Sequence, residues 1–258
     1  MRRPELLTAL VAAVALASGT ARADMVVIDF RNGPPPSSLA QISTLTPSTG
    51  LDYNSAGMNV TINSPGDGVL INPQTIQAVC AKFEDLRLDS FAPGDGVEFA
   101  GVFGDPADGN SAGVDLYQGN STVIKIVQEI GKQKTTLRRT VAQINTNQVR
   151  SVQIDWISGG PNQLDTIAIE IQYQDGAEIK RLSMNSFSGL KHDPNKTTAY
   201  RIQGLNITQD PMVTVGDLAL STEHAFVPEP ASLVLSCVGV LGLLAFQKRG
   251  RRFGSPRQ

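Results

Sequence analysis

Three loops rich in Gly and Asp stand out among the segments able to do chemistry: Ser64-Pro65-Gly66-Asp67-Gly68, Pro93-Gly94-Asp95-Gly96 and Gly104-Asp105-Pro106-Ala107-Asp108-Gly109-Asn110. Calcium takes about six to eight oxygen ligands, which carboxylates, carboxamides and carbonyls on tight turns can supply. The third loop is the best supplied, so Asp105, Asp108 and Asn110 are the candidate Ca2+ ligands. Their spacing does not follow the helix-loop-helix calcium motif, and an antiparallel sheet uses the same residues simply to reverse direction. Tyr53, Tyr117 and Tyr200 fall near loops, where a ring can stack on a sugar. Trp156 instead sits in an alternating apolar run, which predicts core packing. Lys132, Lys134, Arg138 and Arg139 form a basic strip around a hairpin, suited to an acidic polysaccharide or to a charged sheet edge that resists strand addition.

Catalytic constellations are scarce. The chain has two histidines, His192 in a loop and His224 near the C-terminal segment. It contains no His-Glu-x-x-His pair, so zinc protease chemistry has no support. Carboxylates such as Glu98 and Glu170 occur in strand-like runs, but a glycosidase pair lies across neighbouring strands and spacing along the chain does not reveal it. The expectation is a protein that is not an enzyme.

The elements that must position these residues are strands. Residues 24–226 hold 16 Asp and 6 Glu against 7 Lys and 7 Arg, a balance of −8, which disfavours phosphate backbones and so nucleic acid. Their single cysteine, Cys80, excludes an internal disulfide. Short runs rich in Val, Ile, Thr and aromatics are predicted as strands at 25–30, 58–62, 83–91, 97–103, 122–130, 137–144, 149–157, 165–173, 177–184, 198–203 and 213–220. Ile167, Ile169, Ile171 and Tyr173 share one face, as do Val152, Ile154 and Trp156. Asp175-Gly176 predicts a two-residue hairpin turn, and Gly131 marks another. The predicted fold is all-β, a single antiparallel β-sandwich of jelly-roll type over 24–226. Residues 31–57, opening with Pro34-Pro35-Pro36, are predicted as an irregular surface excursion.

Both ends differ in kind. Residues 1–23 run from Arg2-Arg3 through an apolar stretch to Ala21-Arg22-Ala23, the layout of a secretory signal peptide that signal peptidase removes. At the other end Val227-Pro228-Glu229-Pro230 precedes an uncharged apolar segment, 231–246, and then Lys248, Arg249, Arg251 and Arg252. A helix over 231–246 rises about 24 Å, short of a hydrocarbon core of about 30 Å, and the basic cluster would stay cytoplasmic. A short extension, 253–258, follows.

The order Pro-Glu-Pro, short apolar helix, basic tail resembles the PEP-CTERM sorting signal of Gram-negative bacteria, over residues 227–252. That resemblance implies recognition by the membrane protease exosortase, processing near Pro228-Glu229-Pro230, transient membrane anchoring, and delivery to the cell surface or extracellular matrix. The expectation is an exported protein with a structural or adhesive role in exopolysaccharide. A calcium-assisted carbohydrate-binding module is the alternative, and a glycoside hydrolase or lyase a third.

Overall fold

The computed structural model describes residues 25–222 except 75, 77, 104–109, 160–162 and 191–197. The chain divides into two compact units, Met1–Ala225 and Phe226–Gln258. The second unit and residues 1–24 lie outside the described residues, and with them the predicted signal peptide, sorting motif, apolar segment and basic cluster.

The described part of the first unit is all-β, its strands in three antiparallel sheets. A six-stranded sheet runs β1 (Met25–Asp29), β17 (Asp217–Ser221), β6 (Cys80–Glu84), β12 (Val149–Ile157), β13 (Asp165–Asp175), β14 (Glu178–Ser188). A seven-stranded sheet runs β11 (Gln133–Ala142), β10 (Thr122–Ile130), β9 (Ser111–Tyr117), β8 (Gly96–Phe103), β15 (Thr198–Leu205), β5 (Gly68–Pro73), β2 (Ala40–Thr44). A four-stranded sheet runs β3 (Gly50–Asn54), β4 (Gly57–Thr61), β16 (Met212–Val215), β7 (Arg87–Asp89). The helical content among the described residues is one 3₁₀ turn, Thr146–Gln148, and no described helix is long and apolar enough to cross a membrane.

The two large sheets meet through side chains that alternate inward. Phe83 on β6 packs on Phe99 of β8 with ring centroids 5.1 Å apart and meets Tyr200 of β15 edge-on at 6.4 Å. Trp156 of β12 packs on Phe103 at 4.5 Å and donates from Nε1 to Asp165 at 2.9 Å, so it is a core residue. Burying each such side chain contributes about 1.5–3 kcal/mol.

Several expectations change in detail. Residues 31–57 contain β2 and β3, short strands that carry little apolar sequence because each lies at a sheet edge. The run 83–91 is two strands, separated where Asp85 adopts φ 50°, and 213–220 divides at Gly216 between β16 and β17. Strand β13 extends through Asp175, so its hairpin loop is Gly176-Ala177 rather than Asp175-Gly176. Positive φ at Gly176 alone suits a type II′ turn, whereas Gly131 and Lys132, both positive, suit a type I′ turn.

Candidate functional site

Alternation on neighbouring strands builds the site. Val97 and Phe99 of β8 enter the core, so Glu98 and Ala100 face the other side of the seven-stranded sheet. Ala112, Val114 and Leu116 of β9 likewise leave Ser111, Gly113, Asp115 and Tyr117 outward. Register then aligns Glu98 with Asp115, Asp115 with Lys125, Arg201 with Ala100, and Glu129 with Lys134. Ala100 and Gly113 occupy one rung, and their small size leaves space across which Arg201 reaches Glu129, two strands beyond β8. Gly113 is required there, since an added Cβ would stand 2.0 Å from the Phe99 carbonyl oxygen.

Five charges interlock on this face. Lys134 Nζ lies 2.9 Å from both Glu98 Oε1 and Asp115 Oδ1, so these oxygens are separated by no more than twice that distance. Arg201 Nη2 lies 2.8 Å from Glu98 Oε2 and 3.1 Å from Glu129 Oε2, and donates to Ser111 Oγ at 3.1 Å. Glu98 and Asp115 are each 1% exposed. The Glu98 oxygens are paired by charge, yet neither has a hydrogen-bond donor in good alignment among the described residues. Burial pushes Asp115 up to about 6, with Glu98 adding to the rise and Lys134 opposing it. Lys134 is lowered by burial but raised more strongly by Glu98 and Asp115, so its ammonium is held charged. Tyr117 Oη donates to Asp115 Oδ2 at 3.3 Å; burial, then the Asp115 charge, raise this phenol to about 12.

Beside this cluster a cleft of about 350 Å3 is lined by Pro65, Gly66, Glu98, Tyr117, Glu129, Lys134, Arg201 and Gln203, with residues 204–206 completing its wall. Carboxylates, cations, a carboxamide and a phenol are all groups that hydrogen-bond to sugar hydroxyls.

The structure separates the three tyrosines. Tyr117 lines the cleft, its ring lying on Gly96 while Lys125 Nζ stands 4.2 Å from the ring centroid. Tyr53 is half-buried on β3, away from this sheet. Tyr200 is buried in the core, donates to the Ala78 carbonyl at 3.3 Å and is not available for stacking; its inward alternation with Ile202 decides this. In the basic strip Lys134 turns into the cluster, and Arg138 donates to the Asn185 carbonyl of β14 at 3.0 Å. Strand β11 is nevertheless a sheet edge, as its charges suggested.

The Gly/Asp loops use their carboxylates internally. Asp67 accepts hydrogen bonds from Thr46, from Ser48 at 2.6 Å, and from the Asn63 and Ser64 amides at 3.0 Å. Burial works to raise its pKa, but those hydrogen bonds outweigh it and hold the carboxyl below its ordinary value. Asp95 accepts from Ala92 and from the amide and hydroxyl of Thr208. Asp105 and Asp108 lie outside the described residues, and the Asn110 carboxamide oxygen accepts from the Gly131 amide at 3.1 Å. Among the described residues no group of three or more His, Cys, Asp or Glu could hold a metal ion.

Glu98 stood out in the sequence only as one acid among many, and Asp115, Glu129 and Arg201 went unremarked. The available signal was a charged residue in mid-strand on the polar side of an apolar alternation, as in Val97-Glu98-Phe99 and Val114-Asp115-Leu116.

Comparison with known proteins agrees with this geometry at the level of fold. A beta-glucanase of Bacillus licheniformis superposes with a TM-score of 0.50 at 12% identity, covering 79% of this chain and 99% of the other. A prokaryotic beta-1,3-1,4-glucanase (lichenase) derived from a mouse hindgut metagenome gives 0.51 at 11%, covering 77% and 99%. Lectin I from Ulex europaeus, in complex with the methyl glycoside of alpha-L-fucose, gives 0.50 at 13%, covering 77% and 98%. No curated protein matches this sequence. Residues 226–252 match the family profile of the PEP-CTERM protein-sorting motif, so the chain carries a signal that implies export and exosortase-mediated sorting to the cell surface.

Proposed function

We propose that this is a Gram-negative surface or matrix protein, trimmed by exosortase near Val227-Pro228-Glu229-Pro230, whose sandwich engages extracellular polysaccharide in a structural or adhesive role. The sorting motif at 226–252 is the observation that carries the reading. The polar cleft on the seven-stranded sheet supplies the contact surface, on a fold also used by a lectin in complex with a fucoside. Cells expressing the full chain and a version lacking 227–258 are fractionated, and the exported product is weighed by mass spectrometry. The reading requires that only the full chain reach the surface or matrix, with a C-terminus near residue 230; identical distributions, or an intact Gln258, refute it. Gln203→Ala and Tyr117→Ala are each expected to lower retention on the cells' own polysaccharide severalfold.

The paired carboxylates give a glycoside hydrolase reading a specific footing, since Glu98 and Asp115 face each other across one rung and Asp115 is raised to about 6. Lys134 fills the space between them and both are buried, which denies a glycosidic oxygen access and favours binding over cleavage. Release of reducing sugar from a polysaccharide by the wild type but not by Glu98→Gln would reverse that preference. Calcium enters only through Asp105 and Asp108, and a rise in melting temperature with calcium over chelator, abolished in Asp105→Asn, tests it.

A further inference from the structure

A second pocket lies elsewhere in the sandwich, unconnected with the carboxylate cluster. Its volume is about 590 Å3, and it is lined by Arg31, Ser55, Asp85, Arg87, Asp89, Asn147 and Arg150 among others. Three guanidiniums in one cavity are unusual for a region whose balance is −8. They are not equivalent. Arg31 is already satisfied, pairing with Asp29 at 3.4 Å, with Asp217 at 2.6 Å and with Asp85. It fastens β1, β17 and the β6–β7 turn together, and its charge is spent there.

Arg150 is oriented without being neutralised. Its Nε and Nη2 donate to Gln174 Oε1 at 3.2 and 3.0 Å, and its Nη1 donates to the Asn147 and Val149 carbonyls at 2.7 and 3.2 Å. All of these acceptors are uncharged, so the guanidinium is fixed in place with its full positive charge. The Arg87 side chain, exposed on β7, has no hydrogen bond or ion pair to any described residue. Neither Arg87 nor Arg150 has a carboxylate partner among the described residues, although Asp89 shares the lining.

We infer that this pocket binds an acidic sugar residue, one that carries a carboxylate next to free hydroxyls. Guanidinium groups grip a carboxylate through paired, charge-assisted hydrogen bonds, and a fixed group loses less entropy in doing so. The Arg87 guanidinium supplies that grip, and Arg150 adds its full charge and the one Nη2 hydrogen not given to Gln174. Asp89 accepts from the ring hydroxyls, Asn147 and Ser55 complete the polar contacts, and the Asp89 carboxylate does not suit a bare anion. A phosphate or sulfate would bring greater charge toward Asp85 and Asp89 and would leave the hydroxyl acceptors unused. The inference goes beyond polysaccharide engagement at the cleft by naming a separate site and a uronate as its ligand.

Calorimetric titration of the purified exported protein uses an oligogalacturonate, the same oligosaccharide with its carboxyls reduced to alcohols, and inorganic phosphate. Saturable binding of the oligogalacturonate alone is expected. Arg87→Gln removes a charge-assisted hydrogen bond to the carboxylate and is expected to bind about tenfold more weakly. The Arg87 side chain is exposed and unpartnered, so this variant is expected to fold, and Arg150→Lys provides a second check that keeps the charge but removes the oriented Nη2 donor. Equal binding of the reduced oligosaccharide, equal binding of phosphate, or unchanged affinity in both variants overturns the inference. Gln203→Ala separates the two sites: it weakens polysaccharide retention at the cleft and leaves oligogalacturonate binding at the arginine pocket unaltered.

Discussion

Lys134 Nζ stands between two buried carboxylates that would otherwise face each other across one rung of the sheet. Replacing it with Met leaves Asp115 buried beside Glu98 without a counter-ion of its own, and removal of one partner from a buried pair costs about 3–5 kcal/mol. Urea unfolding at pH 7.5 is expected to show that loss, and a smaller one at pH 5, where Asp115 takes up a proton. Asp115 itself gives a second test. Its folded pKa, about 6, lies above its ordinary 3.8, so the folded protein holds the proton more tightly than the unfolded chain. The stabilisation from this group is therefore complete below about pH 3.8 and is lost as pH rises through about 6. Asp115→Asn removes that slope. The stability of the wild type relative to the variant is expected to fall by about 2–3 kcal/mol between pH 4 and 6.5. A pH-independent difference would contradict the buried, charge-crowded environment.

At the scale of elements, the β10–β11 hairpin decides where Lys134 can reach. Its loop, Gly131-Lys132, has φ of 55° and 69°. Lys132 bears the cost of a left-handed conformation, about 1–2 kcal/mol for a residue with a Cβ. Lys132→Gly relieves this strain at an exposed position but adds freedom to the unfolded chain, so a net gain of about 0.5–1 kcal/mol is expected from thermal or urea unfolding. Loss of stability would mean that the turn does not need positive φ there. The same hairpin fixes the pairing of Glu129 with Lys134, and hence the register that brings charges from five strands together.

For the whole molecule, Cys80 is a sensitive reporter. It is buried and forms no disulfide, while Cys237 lies beyond the processing motif. Ellman's reagent is expected to find one thiol in the exported protein, and only after unfolding. Two thiols would show that the tail remains attached, and rapid labelling of the native protein would show that the sandwich opens locally around β6. Much of this organisation was legible in the residues themselves. Alternating runs such as Val152-Gln153-Ile154-Asp155-Trp156 specify strands because each apolar side chain must leave water on one face, and the Pro-Glu-Pro tail is contiguous, so its order survives in the linear chain. Edge strands β2 and β3 were not legible, because a strand with few inward positions carries little apolar pattern. The charged cluster was not legible either: Glu98, Asp115, Glu129, Lys134 and Arg201 are distant in sequence, and only the order β11-β10-β9-β8-β15 and its registers bring them together. Period-two alternation says which side of a strand a residue takes, whereas its neighbours across the sheet are set by long-range pairing, and that is a property of the folded molecule alone.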